Sequence, residues 1–173
     1  MGFFYGLDYP SFADVVDFVG YDSYPMWGSK SDYDVALEAS FTFDLVRGFL
    51  NKPWSLMECT PSQVNWHEIC QLKRPGMHML SCVQALAHGS DTAMMFQWRK
   101  SRGGPEKFHG AVVGHDMTNR TRTFKEVKAT GELLETLSEL VHSETKSDVA
   151  LIFDQANRWA LDGAQGPRKD KDY

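Results

Sequence analysis

One glutamate, Glu58, follows a short apolar run and precedes a polar loop. The run spans residues 53–57, and the loop continues through Pro, Ser, Gln and Asn to Trp66. A bounded apolar run of this length predicts a buried strand, because it is too short for a helix and turn-forming residues follow it. In a barrel of alternating strands and helices, the carboxyl end of a strand is where active sites are built, so a carboxylate there is placed for chemistry. The alternative is a solvated glutamate at a strand end.

Polar and aromatic side chains also follow two other apolar runs. Residues 15–19 are nearly all apolar and lead into Tyr24, and residues 93–96 lead into Arg99. The segment beyond, residues 100–116, is rich in Gly, Arg, Glu and His. Such a loop is a common location for function, since glycine lets the backbone approach a ligand closely.

Helices are predicted between these strands, because apolar residues recur there at three- and four-residue spacing. In residues 34–50 the predicted buried stripe is Leu37, Phe41, Leu45 and Phe49. In residues 75–89, opened by a proline and ended by a glycine, it is Met77, Leu80, Val83 and Ala87. Strands linked by single helices are expected to be parallel with right-handed crossovers. All three strand ends should therefore lie on one face of an α/β fold.

Further elements are predicted on either side of this core. Residues 121–141 read as another helix, with Phe124 and Leu134 on its apolar side, and residues 148–154 read as a strand. Part of an earlier strand is expected near residues 2–4. A full eightfold barrel takes about 250 residues, so these elements amount to half a barrel, and the chain is interpreted as a piece of something larger.

Composition narrows the class of protein. The chain has 173 residues, 42% hydrophobic and 13% aromatic, which predicts a globular fold, and its net charge of −5 gives no basic field for nucleic acid. It contains no apolar run of about 18 residues to span a membrane and no signal-peptide pattern, so we expect a cytoplasmic protein. Cys59, Cys70 and Cys82 are too widely spaced for a CxxC motif, which argues against a disulfide framework or a self-contained zinc site.

Three strings of this sequence resemble the β-galactosidases of glycoside hydrolase family 42. They are KPWSLMECTPSQVNW from Lys52, the segment at residues 89–113, and VALIFDQANRWAL at residues 149–161. The resemblance implies a (β/α)8 TIM barrel, of which this chain would hold the C-terminal half, about strands 5–8. Residues 1–142 would belong to the barrel, and residues 143–173 would begin a flavodoxin-like α/β second domain that forms trimers.

The resemblance also implies roles for individual residues. Glu58 would be the nucleophile of a retaining β-galactosidase, acting on terminal β-D-galactosides by double displacement. Seven residues would bind the sugar: Tyr24, Trp66, Phe96, Glu106, Lys107, Phe108 and His109. Aromatic faces suit the C–H face of galactose, while Glu106 and His109 suit its hydroxyls. Arg99 and Arg102 are candidates for a cation beside the nucleophile.

Each binding role has a structural alternative. Trp66 could only cover the mouth of the barrel, Phe96 could belong to the core, and His109 could be an ordinary loop histidine.

The sequence departs from the family pattern in three respects. The asparagine–glutamate pair that carries the family's acid/base has no counterpart, so we expect this chain alone not to hydrolyse a nitrophenyl galactoside. The cysteine cluster that binds zinc in some members is absent too, and neither a cofactor nor a metal site is expected here. Cys59 stands where glutamine is usual, which predicts that thiol reagents inhibit the complete enzyme.

Two other functions stay open at this point. One is a related glycosidase of the same clan acting on another sugar, and the other is a non-catalytic half-barrel for sugar binding or assembly. The expected partners are a β-galactoside substrate and, in the full-length protein, two further copies in a trimer, with no nucleic acid and no membrane.

Overall fold

Three short parallel strands form the only sheet within residues 6–164, the part of the chain described by this computed structural model. The strands are β1 (Gly20–Asp22), β2 (Trp54–Glu58) and β3 (Ser90–Ala93), and β2 lies between the other two. Helix α1 (Asp32–Leu50) connects β1 to β2, and α2 (Met77–Ala87) connects β2 to β3. The predicted order of strand, helix, strand, helix, strand and the parallel pairing are confirmed.

Other helices follow the sheet. They are the 3-10 turn Pro105–Phe108, α3 (Arg122–Thr136), the 3-10 turn Ser138–Leu140 and α4 (Gln155–Gly163), while another 3-10 turn, Tyr9–Asp14, precedes β1. The helix predicted over residues 121–141 is therefore shorter than expected and ends in a 3-10 turn. Phe124 and Leu134 are half-buried on it, and Thr130 is its one fully buried residue. In the described part of the chain, no helix is long and apolar enough to cross a membrane.

Helix α1 buries a different face from the predicted stripe. Its ends are well defined, since Ser31 accepts a hydrogen bond from the Asp34 amide at the start and Asn51 takes a left-handed conformation after the end. The fully buried apolar residues are Val35, Ala39, Phe43 and Val46. Leu37, which begins the predicted stripe, is 54% exposed. The helix carries two apolar stripes of nearly the same period, so periodicity alone could not choose between them.

The stripe that faces the sheet is decided by packing against β2. The Phe43 ring lies 5.0 Å from the ring of Trp54, and both side chains are almost completely buried. The other stripe is only partly covered, because Phe41 meets Phe153 at 5.5 Å and Phe49 stacks on a tyrosine near the start of the chain.

Helix α2 also buries polar residues that a hydrophobic pattern overlooks. His78, Ser81 and Cys82 are buried with Met77 and Ala85, whereas Leu80 of the predicted stripe is exposed. Ser81 is satisfied on both sides, because it donates to the Met77 carbonyl at 2.8 Å and accepts from the Trp27 indole at 3.1 Å. Burial of these polar groups is possible because they find partners inside the protein.

Two predicted strands differ from the observed ones. The first begins at Gly20 rather than in residues 15–19, where Val15 is exposed. The third begins at Ser90, and beyond Ala93 it stays joined to β2 by backbone hydrogen bonds to Leu56 and Cys59.

The strand predicted over residues 148–154 is not formed. That segment has no regular structure, and Ile152 is 93% exposed. An apolar run becomes a strand only where a neighbouring strand pairs with it, and no described residue does so here. The strand expected near residues 2–4 lies outside the described residues.

Candidate active site

Glu58 lies at the carboxyl end of the central strand, as predicted. The Tyr24 hydroxyl donates a hydrogen bond to Glu58 Oε2 over 2.5 Å, and the Ser23 amide donates to the Glu58 carbonyl over 2.8 Å. Both donors follow β1, whose last residue, Asp22, pairs with Glu58 in the sheet register. The parallel register therefore brings the ends of two strands together around one carboxylate.

The charge at Glu58 affects two neighbouring groups. Burial raises the pKa of Tyr24 well above its usual value, and the hydrogen bond to Glu58 raises it further, so the hydroxyl stays protonated and remains a donor. Burial and the Glu58 carboxylate likewise raise the pKa of Asp22. The site thus concentrates negative charge beside a permanent hydrogen-bond donor.

Four rings contact one another in an arrangement that we call the aromatic box, made of Tyr24, Trp66, Phe96 and His109, and Tyr24 is the member that contacts the Glu58 carboxylate. Trp66 stands edge-on to Tyr24 with ring centroids 4.8 Å apart, and it stacks on His109 at 5.2 Å. Phe96 meets His109 edge-on at 4.9 Å. Trp66 is still 52% exposed, so part of its surface is free for a ligand. Four predicted sugar-binding residues therefore lie together.

His109 is completely buried, and one of its nitrogens has no partner within residues 6–164. Nδ1 lies 2.9 Å from the Gly110 carbonyl, which can only accept, so Nδ1 carries the donated hydrogen. In a neutral imidazole Nε2 is then an acceptor, and neither it nor Glu106 Oε2, also buried, finds a partner among the described residues. Buried polar atoms are rarely left unpaired, and a ligand hydroxyl would reach these two only if the surrounding loop moved, because both atoms are covered in this structure.

A 3-10 turn directs the side chains of residues 106–109 to two different sides of the loop. It spans Pro105–Phe108, and three residues per turn place Glu106 and His109 in line. The His109 amide also donates to the Glu106 carbonyl over 3.1 Å. Phe108 instead lies in solvent, with the Lys107 ammonium 4.7 Å above its ring. The structure does not bring these two side chains into the aromatic box.

Two loops interlock to hold the box, through residues that sequence reasoning missed. Asn65 donates from its side chain to the Pro105 carbonyl over 2.6 Å, and the Gly110 amide donates to the Gln63 carbonyl over 2.7 Å. A Cβ on Gly110 would lie 2.6 Å from that same carbonyl oxygen, so only glycine fits there. The one signal for this contact was the clustering of amide side chains just before Trp66.

The family of the chain follows from comparison with known proteins. Residues 1–137 match the model of glycoside hydrolase family 42, described as β-galactosidase. The chain belongs to this family. It is 52% identical over 165 residues to the β-galactosidase GalA of Bacillus licheniformis, and 50% identical over 163 residues to GanA of Bacillus subtilis. These alignments cover 94% and 93% of the chain but 24% of each relative, so the chain spans about a quarter of their length.

Solved structures of the family superpose on the chain. A catalytic mutant of Gan42B, a family 42 β-galactosidase from G. stearothermophilus, gives a TM-score of 0.90 at 48% identity, covering 94% of this chain and 24% of that one. The β-galactosidase from Rahnella sp. R3 gives 0.89 at 48% identity, covering 92% and 24%. The family fold is a TIM barrel, and the strands β1 to β3 with their helices are consecutive βα units of such a fold.

Neither arginine that was a candidate for a cation beside Glu58 pairs with it in the described part of the chain. Arg99 and Arg102 are both exposed, and no ion pair within residues 6–164 joins either of them to Glu58. The Tyr24 hydroxyl is the group that contacts the carboxylate instead.

Behind the site, three buried side chains that are distant in sequence come together. One ligand-type atom each of Cys59, His78 and Cys82 lies within 4.8 Å of the others, and we call these residues the Cys–His–Cys cluster. The spacing of the cysteines did not predict this proximity, which arises because α2 packs against the end of β2, and all three cysteines are free thiols. Cys59 is 2% exposed, so a thiol reagent reaches it only when the structure opens locally.

Burial and charge shift the pKa values of all three members of this cluster and of the neighbouring Lys73. Burial lowers the pKa of His78 to about 4, and it lowers that of Lys73, whose ammonium donates to the Thr60 carbonyl over 2.7 Å. The Cys82 thiol and then the Lys73 ammonium lower the pKa of Cys59, whereas hydrogen bonding to Cys59 and burial raise that of Cys82. Cys59 is therefore the more acidic of the two thiols.

Proposed function

We propose that the protein containing this chain hydrolyses terminal β-D-galactosides with retention of configuration, and that Glu58 is its nucleophile. The observation that carries the proposal is the position of the Glu58 carboxylate, held at a strand end by the Tyr24 hydroxyl and adjoining the aromatic box. In this proposal residues 1–142 are the C-terminal half of the barrel, about strands 5–8. Residues 143–173 begin the second domain, through which the full-length protein forms trimers.

The reaction would proceed by double displacement. A Glu58 oxygen attacks the anomeric carbon while the bond to the leaving oxygen breaks, and a second carboxyl group protonates that oxygen. Water, deprotonated by the same second group, then attacks the anomeric carbon and releases Glu58. Retaining enzymes hold the two carboxyl groups about 5–5.5 Å apart, and in our proposal the second one comes from a part of the barrel outside this chain.

The aromatic box would bind the sugar beside that nucleophile. The half-exposed indole of Trp66 offers a flat surface to the apolar C–H face of galactose. In this proposal the loop that carries them moves to expose His109 Nε2 and Glu106 Oε2, which are covered in this structure, and sugar hydroxyls that donate to them satisfy both unpaired atoms. A sugar with a different hydroxyl arrangement would leave one of them unpaired, at a cost of about 1–3 kcal/mol.

Trapping of the intermediate on the intact protein tests the assignment of Glu58. A 2-deoxy-2-fluoro galactoside with a good leaving group should add one fluorogalactosyl unit to the protein, and peptide mass spectrometry should locate it on Glu58. Glu58→Ala should abolish turnover, and added azide should restore it with α-galactosyl azide as the product, since the small anion enters from the vacated face. Glu68→Gln, at an exposed position in the following loop, is the matched control and should keep activity.

Two results would contradict the proposal. Labelling of a different carboxylate would remove Glu58 from the role of nucleophile. A panel of nitrophenyl glycosides on which another sugar is preferred to galactose would favour a different glycosidase of the same clan.

A further inference from the structure

The Cys–His–Cys cluster has a donor set that the proposed glycosidase chemistry does not use. Cys59 is 2% exposed, and His78 and Cys82 are fully buried. His78 Nε2 lies 3.9 Å from Cys82 Sγ. Two sulfurs and one imidazole nitrogen lie within 4.8 Å of one another, a separation that the ligands of one metal ion can have. Thiolate and imidazole are ligands for soft transition-metal ions rather than for Mg²⁺ or Ca²⁺.

The number of ligands helps to select the ion. Structural Zn²⁺ sites are almost always four-coordinate. The described residues place three such ligand atoms here, and the nearby Lys73 ammonium is engaged with the Thr60 carbonyl. A soft ion that accepts three ligands therefore suits the cluster better than Zn²⁺.

The charges around the cluster also favour a monovalent ion over Zn²⁺. The Lys73 ammonium is 4% exposed and acts electrostatically on both thiols, so its positive charge is part of the site. Two thiolates, one ammonium and one monovalent cation sum to zero, whereas a divalent cation would leave one positive charge among these groups. The two nearby carboxylates already have partners, since Glu126 pairs with Arg122 and Glu58 accepts from Tyr24. Unbalanced buried charge is costly, which favours the monovalent ion.

We propose that Cys59, His78 and Cys82 form a buried three-coordinate site for a soft monovalent cation, Cu(I). Two sulfur–copper bonds and one nitrogen–copper bond form, and the thiol protons pass to solvent, with no change in the oxidation state of copper or sulfur. The ion enters during folding or through local opening, because the closed cluster has almost no exposed surface.

Copper retention by the intact protein tests this site. The reduced protein would be loaded with Cu(I) without oxygen and challenged with a chromophoric Cu(I) chelator. One copper per chain should be retained, together with an ultraviolet thiolate-to-copper charge-transfer band. X-ray absorption of the same sample, which requires no substitution, should show two sulfur neighbours and one nitrogen.

The variants separate the cluster from the remaining cysteine. Cys70→Ser, which alters a thiol outside the cluster, should retain copper fully. Cys59→Ser and Cys82→Ser should each weaken retention by more than about 100-fold, because even the outer partners of metal ligands change affinity by about 10- to 100-fold. His78→Gln should remove the nitrogen neighbour and keep the sulfurs, and circular dichroism checks that each variant folds.

Several outcomes would overturn the proposal. They are loss of copper to the chelator from the unsubstituted protein, unchanged retention in Cys59→Ser, and a higher affinity for Zn²⁺ than for Cu(I). A Cys59–Cys82 disulfide in protein kept under reductant would also overturn it, because the cluster would then be a redox pair.

Discussion

Removal of a single hydroxyl group, in Tyr24→Phe, isolates the hydrogen bond to the proposed nucleophile. The ring would keep its edge-on contact with Trp66 at 4.8 Å and its contact with His109 at 6.0 Å, so the aromatic box should stay in place. Only the 2.5 Å bond to Glu58 Oε2 would be lost. Any change in kinetics then reports on that bond.

The two chemical steps should respond differently to this change. In the first step Glu58 gives up its charge to the anomeric carbon, so the hydrogen bond weakens toward the transition state and its loss costs little. In the second step Glu58 leaves as a carboxylate, and the Tyr24 hydroxyl stabilises the charge that develops on it. Hydrolysis of the glycosyl-enzyme should therefore slow more than its formation.

The strength of the bond sets the size of the effect. Hydrogen bonds to charged groups contribute about 1.5–3 kcal/mol, which corresponds to about 10- to 150-fold in rate. Tyr24 is half-buried, so water can replace part of the interaction, and a decrease of about 10- to 100-fold in kcat is expected. KM should fall with it, because the covalent intermediate accumulates.

Stopped-flow kinetics on the intact protein, with a dinitrophenyl galactoside, would detect this pattern. Tyr24→Phe should show a burst of about one dinitrophenolate per active site before a slow steady state. Tyr33→Phe, which removes a hydroxyl from an exposed tyrosine on α1, should behave like the unsubstituted protein. A kcat within twofold of the original with no burst would refute the reasoning, and so would a rise in KM alone.

Three further predictions concern the chain and its packing. Gly110→Ala should destabilise the protein by about 1–3 kcal/mol and lower sugar affinity, because the new Cβ would lie 2.6 Å from the Gln63 carbonyl oxygen. Gly103→Ala is the control and should leave stability and affinity unchanged, since a Cβ there meets nothing within 4 Å. Phe43→Ala should lower the free energy of unfolding by about 3–5 kcal/mol and Leu37→Ala by less than about 1 kcal/mol, as measured in urea, and the reverse order would mean that α1 packs on its other stripe. The 173-residue chain alone should not hydrolyse a nitrophenyl galactoside, and turnover that disappears in Glu58→Gln would contradict this.

The central strand could be predicted from sequence because every local signal agrees there. A short apolar run, a proline before it and turn-forming residues after it all indicate the same element, and Glu58 falls at its end. The helix faces could not be predicted in the same way. Both stripes of α1 are apolar, and the choice between them depends on the shape of Trp54 and Leu56 in the neighbouring strand.

The sequence identified the residues of the aromatic box, but it could not predict how they contact one another. The aromatic box includes only residues that the family resemblance suggested, yet their mutual orientation requires the interlock of the loops around Asn65 and Gly110. The Cys–His–Cys cluster gave no sequence signal at all. Its residues lie 19 and 23 positions apart from Cys59, and only the docking of α2 on β2 joins them.

Backbone hydrogen bonds, together with the side-chain bond from Tyr24 to Glu58, align the three strand ends. The Ser23 amide donates to the Glu58 carbonyl, the Cys59 amide donates to the Met94 carbonyl at 3.1 Å, and the Phe96 amide donates to the Cys59 carbonyl at 2.9 Å. The ladder therefore continues one residue past Glu58 and sets the positions of Phe96 on one side and Tyr24 on the other. Because side chains alternate along a strand, a slip of one residue would turn Glu58 away from Tyr24. Substitutions within the box can then alter sugar binding while the proposed nucleophile stays in position.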